Sequence, residues 1–120
     1  MRAVVLAANA LMLPFQFRVN LEAELRRLLG DTEIFVPSPV VDELRGLSKS
    51  TREARGAQKL AERFRTFEVS GEADDAILEA ANRLNAAVVT NDAALLRRLR
   101  AARVPRIFLR SRSHLVIEEL

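Results

Sequence analysis

The chain has 120 residues, of which 49% are hydrophobic, and we expect a single compact domain over residues 1–120 with one core. It contains no cysteine, which excludes disulfides, a zinc–thiolate site and a thiol nucleophile, and indicates a cytoplasmic protein. The net charge is +3, and no apolar run has the length of a membrane span, so we expect no membrane association.

The first part of the chain predicts a strand, a helix and a second strand. Residues 3–6 are continuously apolar, which is typical of a strand buried on both faces. Asn20 is placed to cap an amphipathic helix over residues 20–29, and Gly30 is placed to end it. A second apolar run at 34–36 predicts the next buried strand.

Two helices are predicted in the middle of the chain. Ser38 is a good cap and Pro39 a good first residue for the helix that carries V-V-D-E-L. Ser50 and Glu53 match a capping box for a longer helix over 51–64. The apolar stripe of that helix consists of Ala54, Ala57, Leu60, Ala61 and Phe64.

The remaining pattern predicts a short edge strand at 67–69, a helix at 73–84, a strand at 86–89, a helix at 93–101 and a last strand at 104–109. Alternation of strands and helices favours an α/β/α sandwich with a central parallel sheet and right-handed crossovers. The predicted fold class is therefore α/β.

Carboxylates stand at the ends of several of these elements. Glu43 and Asp75, with Asp74 beside it, lie in early turns of predicted helices, and Asp92 follows a predicted strand. Because ligands of an open parallel sheet bind beyond the carboxyl ends of its strands, we expect these acids to converge. Clustered carboxylates are typical ligands of Mg²⁺ or Mn²⁺, ions that orient a phosphodiester and help to ionise an attacking water.

Each of these acids also has a purely structural interpretation. Asp74 and Asp75 suit the positive end of a helix dipole, Asp92 suits a helix cap, and Glu43 could be an ordinary exposed residue. Their joint placement at one sheet edge favours a hydrolytic site. His114 is the one histidine of the chain, and it lies in a basic terminal segment.

Arginines crowd the last quarter of the chain. They supply nearly all of the positive charge, since Lys49 and Lys59 are the only lysines, and the arginine fork matches phosphate oxygens. The residues predicted to bind RNA are Arg97, Arg98, Arg100, Arg110 and Arg112. The alternative is a solvated helix surface, and the nearby acids favour nucleic acid.

Four stretches together resemble the PIN-domain ribonucleases, a family of Mg²⁺/Mn²⁺-dependent RNA-cleaving domains. They are V-V-L-A-A-N at 4–9, V-V-D-E-L at 40–44, A-D-D-A-I-L at 73–78 and V-V-T-N-D at 88–92. The resemblance spans nearly the whole chain. It implies a PIN-like α/β fold and hydrolysis of RNA phosphodiesters.

The resemblance also assigns roles to individual residues. Glu43, Asp75 and Asp92 match the family's metal-binding and catalytic carboxylates. Asn9 and Thr90 match polar positions that would orient ligands or water. The implied cofactor is Mg²⁺ or Mn²⁺.

Ala7 departs from the family pattern, because it stands where the first motif has its Asp. Alanine offers no oxygen to a metal, so this chain is expected to be weak or inactive as a nuclease. Either the position carries an introduced, inactivating change, or the chain is a natural member that kept only RNA binding. The otherwise intact site favours an introduced change.

The resemblance leaves several biological roles open. Segments 10–17 and 106–110 look like small archaeal proteins similar to the eukaryotic endonuclease of small-subunit rRNA processing, which implies precursor rRNA as substrate. The VapC toxins share the same carboxylates and would imply an antitoxin partner. A non-catalytic RNA-binding or ribosome assembly factor is the alternative from another class. We also expect a homodimer, with helices 20–29 and 51–64 forming a symmetric contact.

Overall fold

The computed structural model describes residues 2–119, in which six strands form one sheet and six helices pack against it. The strands are β1 (Arg2–Leu6), β2 (Thr32–Pro37), β3 (Arg65–Phe67), β4 (Ala87–Val89), β5 (Arg106–Arg110) and β6 (His114–Glu118). The helices are α1 (Ala8–Gln16), α2 (Leu21–Leu29), α3 (Ser38–Leu47), α4 (Arg52–Ala61), α5 (Ala73–Leu84) and α6 (Ala93–Ala101).

The strand order places β1 at the centre of the sheet. The order is β3-β2-β1-β4-β5-β6, with β1 to β5 parallel and β6 antiparallel to β5. Val4 is paired with Ile34 on one side and with Ala87 on the other. The chain therefore winds outward in both directions from β1. The predicted α/β class with a mostly parallel central sheet is confirmed, and the gap between β1 and β4 is its topological switch point.

The core lies around the two central strands. Val4, Val5 and Leu6 of β1 are fully buried, as are the three residues of β4. Burial of both faces explains why these segments are continuously apolar rather than alternating. Leu21 and Leu25 fix α2 to this core.

The apolar stripes of the helices are largely buried inside the molecule. Ala54, Ala57 and Ala61 of α4 are buried, while Leu60 packs against the core cluster. Within residues 2–119, Phe15 is the one large hydrophobic side chain that is exposed, at 45%. No helix in that range is long and apolar enough to cross a bilayer.

Two elements were not predicted. α1 follows β1 directly and contains Pro14, and β6 returns antiparallel along β5 after a turn in which Ser111 and Arg112 have positive φ. The predicted basic terminal segment around His114 is thus a strand in part. α1 brings Asn9 to the end of β1, and β6 covers an edge that would otherwise be unpaired.

Smaller corrections concern caps and ends. The cap of α4 is Thr51, whose Oγ1 accepts from the Ala54 N–H at 3.2 Å, whereas Ser50 Oγ donates to the Leu47 carbonyl. Ser38 does not cap α3. Its hydroxyl accepts from the Val69 N–H at 3.1 Å and donates to the Val69 carbonyl at 2.9 Å, which ties the start of α3 to the segment before α5.

Candidate active site

The switch point between β1 and β4 is occupied by Ala7 and Thr90. The Ala7 N–H donates to the Val89 carbonyl at 3.1 Å, so the end of β1 is fixed against the end of β4. Ala7 is also the N-cap of α1, and its methyl group offers no hydrogen bond to the first turn. The side chain at this position is buried, with 3% exposure.

Asn9 and Thr90 form one hydrogen-bonded unit beyond these strand ends. Thr90 Oγ1 donates to Asn9 Oδ1 at 3.2 Å, and the Asn91 N–H donates to the same oxygen at 2.8 Å. Thr90 is completely buried, and its backbone N–H donates to the Ile107 carbonyl at 3.1 Å. Buried polar groups of this kind are stable only when their partners are present.

Asn91 extends this unit to the neighbouring strand, a role that sequence reasoning missed. Its Oδ1 accepts from the Leu109 N–H at 3.0 Å, so the side chain replaces a backbone acceptor just past the end of β4. The only sequence signal is an amide residue directly after a buried strand. We refer to Asn9, Thr90 and Asn91 as the neutral network.

Asp92 is held by the neutral network and begins α6. Its N–H donates to Thr90 Oγ1 at 3.1 Å. Its Oδ1 accepts from the Leu95 N–H at 2.9 Å, which is the helix-cap role considered for this residue. A cap and a ligand role are compatible, because a carboxylate accepts more than one bond.

Glu43 and Asp74 lie within electrostatic range of each other. Partial burial, and then the charge of Asp74, raise the pKa of Glu43 above its ordinary value, although the residue as a whole is exposed. Burial and then the charge of Asp92 raise the pKa of Asp74, an effect that Arg98 partly opposes. The charge of Asp74 therefore acts on Glu43 and that of Asp92 acts on Asp74, and these three acids are termed here the acid group.

Asp75 takes a different direction. Its Oδ1 accepts from Arg98 Nη2 of α6 at 2.6 Å, and the two side chains are 63% and 45% exposed. The hydrogen bond to Asp75 raises the pKa of Arg98, with the charges of Asp75 and Asp74 adding to it. Of the two neighbouring acids in the first turn of α5, the one predicted as a ligand is thus the one that forms an ion pair.

Carboxylates are the type of ligand that a hard divalent cation binds, but too few of them lie together in the described part of the chain to hold one. Within residues 2–119, no three acidic, histidine or cysteine side chains lie close enough together to hold a metal ion. At the switch point, the buried side chain of Ala7 contributes no oxygen. A complete Mg²⁺ or Mn²⁺ ligand set is therefore not formed by these side chains as they stand.

Two cavities are informative about the approach to this edge. A cleft of about 600 Å³ is bordered by Glu43 and Asp42 of α3 and by residues 69–73 before α5. A larger one, about 740 Å³, lies at the opposite edge, near Arg2 and Leu84, and has none of the predicted site residues. Of the acid group, Glu43 borders the smaller cleft.

The predicted RNA-binding arginines are exposed at two places. Arg97, Arg98 and Arg100 lie on α6, where Arg98 alone is joined to an acid of the site. Arg110 and Arg112 lie at the end of β5 and in the following turn, beyond Leu109, which contacts Asn91. Arg106, in contrast, is bound to Glu118 and to the Leu96 carbonyl.

Known proteins are similar to this chain in sequence or in fold. Ribonuclease VapC9 of Archaeoglobus fulgidus is 29% identical over 124 residues, which cover 99% of this chain and 91% of that protein. The solved structure of the PIN domain endonuclease Utp24 superimposes with a TM-score of 0.84 at 25% identity, covering 98% of this chain and 92% of the other.

Two further structures share the fold. A domain of a functionally unknown protein from Methanocaldococcus jannaschii has a TM-score of 0.65 at 17% identity, covering 100% of this chain and 96% of that domain. VapBC2 from Rickettsia felis, bound to a promoter DNA fragment, has a TM-score of 0.56 at 20% identity, covering 79% and 92%. The family model described as a PIN like domain matches residues 4–112, and the chain belongs to that family.

Proposed function

We propose that this chain is a single PIN-like domain that acts on RNA and carries the site of an endoribonuclease. The observation that carries the proposal is the neutral network, which joins the ends of β1, β4 and β5 and fixes Asp92, whose charge acts on Asp74. The likeness of the chain to Ribonuclease VapC9 and to the endonuclease Utp24 supports RNA cleavage as the chemistry.

We further propose that hydrolysis depends on Mg²⁺ or Mn²⁺ and is impaired at Ala7. The buried methyl group stands at the switch point and offers no oxygen. A carboxylate there would add a hard oxygen ligand at the edge where the acid group lies. The unmodified chain is accordingly an RNA-binding form of the nuclease.

The decisive experiment is to supply that ligand. Ala7→Asp should bind Mn²⁺ in calorimetric titration and cleave a structured RNA in Mn²⁺ but not in EDTA. Ala7→Asn is the matched control, because it has the same shape and hydrogen-bonding reach but no charge. It should fold equally well and remain inactive.

A second control separates charge from folding. Asp92→Asn keeps a good helix cap for α6 while removing the charge. Combined with Ala7→Asp, it should abolish cleavage and leave the circular dichroism spectrum unchanged. A folded Ala7→Asp protein that neither binds Mn²⁺ nor cuts RNA contradicts the nuclease proposal and favours a non-catalytic RNA-binding or assembly factor.

Precursor rRNA is the substrate we propose, because segments 10–17 and 106–110 look like the small archaeal proteins similar to the eukaryotic rRNA-processing endonuclease. The likeness to the endonuclease Utp24 over 98% of the chain supports cleavage within an RNA chain. The likeness to Ribonuclease VapC9 favours a second candidate, a toxin nuclease held in check by an antitoxin. Induced synthesis of the Ala7→Asp protein in a bacterial host separates the two. Immediate growth arrest supports the toxin, whereas selective cleavage of an rRNA precursor without arrest supports processing.

We also propose a cytoplasmic homodimer. Since the leucines of α2 and the alanines of α4 are mostly buried within the chain, any symmetric contact would have to use the half-exposed Phe15 and the polar helix faces. Sedimentation equilibrium over a concentration series should show a mass twice the 13.4 kDa of the chain. A constant mass at the monomer value contradicts the dimer.

A further inference from the structure

The contact between Asp75 and Arg98 joins the first turn of α5 to α6 at the edge of the acid group. It consists of one bond, from Arg98 Nη2 to Asp75 Oδ1 at 2.6 Å. A guanidinium has five N–H donors in a rigid fork, so this contact leaves several of them unused. With 45% of the Arg98 side chain exposed, those donors are accessible to a second anion.

Helix geometry prevents Asp74 and Asp75 from sharing a direction. Consecutive residues of an α-helix are about 100° apart around its axis. Asp74 is half-buried and electrostatically coupled to Asp92, whereas Asp75 is exposed and bound to Arg98. The two acids are therefore not interchangeable, although they are neighbours in the sequence.

Arg98 can offset the repulsion between RNA and the acids at this edge. Glu43, Asp74, Asp75 and Asp92 would together repel a phosphodiester. Among residues 2–119, Arg98 is the one cation that forms an ion pair with any of these four. A phosphate beside Arg98 could bind the free donors of its guanidinium fork, which would offset this repulsion.

Resting on the proposed action on RNA, we propose that Arg98 binds the RNA phosphate at the entrance to the acid group and that Asp75 is the positioning residue that holds it there. It follows that Asp74, rather than Asp75, is the acid of α5 that lines the site with Glu43 and Asp92. Asp75 then contributes through Arg98 and not as a metal ligand.

The first test measures RNA binding by the unmodified chain in EDTA, with a short fluorescent single-stranded RNA. Arg98→Gln should weaken binding about tenfold, the value of one charge-assisted phosphate contact, whereas its exposed neighbour Arg97→Gln should change it about twofold. Equal losses from the two substitutions would overturn a specific role for Arg98.

A double-mutant cycle tests the positioning role of Asp75. If Asp75 acts through Arg98, Asp75→Asn should change the RNA affinity of the parent chain. The fold-change in affinity should be about threefold smaller in the Arg98→Gln background. An equal change in both backgrounds would mean that Asp75 only repels RNA at long range, and would overturn the proposal. Both substitutions are on exposed side chains, and circular dichroism checks that the variants fold.

The matched pair Asp74→Asn and Asp75→Asn completes the design in the Ala7→Asp protein. Asp74→Asn should weaken Mn²⁺ binding about tenfold or more, and Asp75→Asn about threefold or less. The reverse order would make Asp75 a ligand and overturn the assignment. If the Ala7→Asp protein binds no Mn²⁺ at all, the nuclease proposal fails, while the EDTA measurements still decide whether Asp75 and Arg98 act as a unit.

Discussion

Asn9 and Thr90 are 81 positions apart in the chain, and Thr90 Oγ1 donates a hydrogen bond of 3.2 Å to Asn9 Oδ1. The same hydroxyl accepts from the Asp92 N–H, so it serves as donor and acceptor at once. This single buried group couples the start of α1 to the start of α6. The position of Asp92 therefore depends on a residue that need not contact substrate itself.

Replacement of Thr90 by valine should expose that dependence. Thr90→Val has nearly the same shape but leaves Asn9 Oδ1 with one donor fewer and the Asp92 N–H without its acceptor. We expect a loss of about 1–3 kcal/mol in the free energy of unfolding, measured by urea denaturation. Thr90→Ser is the control, since it keeps the hydroxyl and removes only a methyl group. A Val variant as stable as the Ser variant would show that the hydrogen bonds contribute little.

Substitutions at Ala7 separate the effect of helix capping on stability from the effect of charge. Because Ala7 is an N-cap without a side-chain bond, Ala7→Asn should stabilise the protein by about 1 kcal/mol. Ala7→Asp should gain less in EDTA, since its charge adds to the repulsion within the acid group. With Mn²⁺ at about 100 times its Kd, binding should add about 2.7 kcal/mol and reverse the order of the two variants. Thermal unfolding with and without Mn²⁺ measures the stability of both variants. An unchanged order of stability contradicts the metal site.

The acid group should make stability depend on pH. Burial, the nearby acids Asp92, Asp75 and Glu72, and the opposing charge of Arg98 together leave the pKa of Asp74 raised. The folded protein then binds a proton more readily than the unfolded chain, so the stability present at low pH is lost as pH rises from the ordinary carboxyl pKa through the raised one.

Asp74→Asn should accordingly raise the melting temperature by a few degrees at neutral pH, and this advantage should disappear below the ordinary carboxyl pKa. Asp31→Asn, an exposed acid at the opposite sheet edge, is the control and should show no such dependence. Melting curves across a pH series decide this. A destabilising effect of Asp74→Asn at neutral pH would contradict the repulsion within the acid group.

RNA binding should depend steeply on salt through α6. Replacing Arg97, Arg98 and Arg100 together by serine should lower the slope of log affinity against log salt by about 1, since the phosphate contact of Arg98 contributes about 0.7 and its exposed neighbours contribute less. The matched control replaces three exposed arginines on other helices, Arg26, Arg52 and Arg55, which should leave the slope nearly unchanged. Equal slopes for the two triple variants would contradict a specific basic face.

Single-stranded or looped RNA should bind more tightly than a long duplex.

Much of the fold could be predicted because the central strands are buried on both faces. The apolar runs of β1 and β4 and the amphipathic pattern of α5 have few alternatives. α1 was missed because it is apolar on most sides and contains Pro14, so it shows no stripe and an apparent breaker. β6 was missed because the turn before it uses Ser111 and Arg112 at positive φ, where glycine or asparagine would have been the signal.

The candidate site was predictable to the level of elements but not of side chains. Parallel topology predicted that the strand ends meet at one edge, where Asp92 lies, whereas Asn9 and Thr90 were assigned only by the resemblance to PIN-domain ribonucleases. Sequence could not show which of Asp74 and Asp75 turns toward Asp92, since that choice depends on the rotation of α5 about its axis. The bond from Asn91 to Leu109 was equally hidden, because it depends on where β4 stops pairing with β5.

The hydrogen bonds of the neutral network involve no ionised group, and this affects how such a protein can evolve. Since Asn9, Thr90 and Asn91 hold the strand ends without help from a metal or a charge, residue 7 can change between alanine and aspartate while the architecture around it persists. On the proposed function, a substitution at residue 7 alone would therefore change nuclease activity while the folded scaffold persisted.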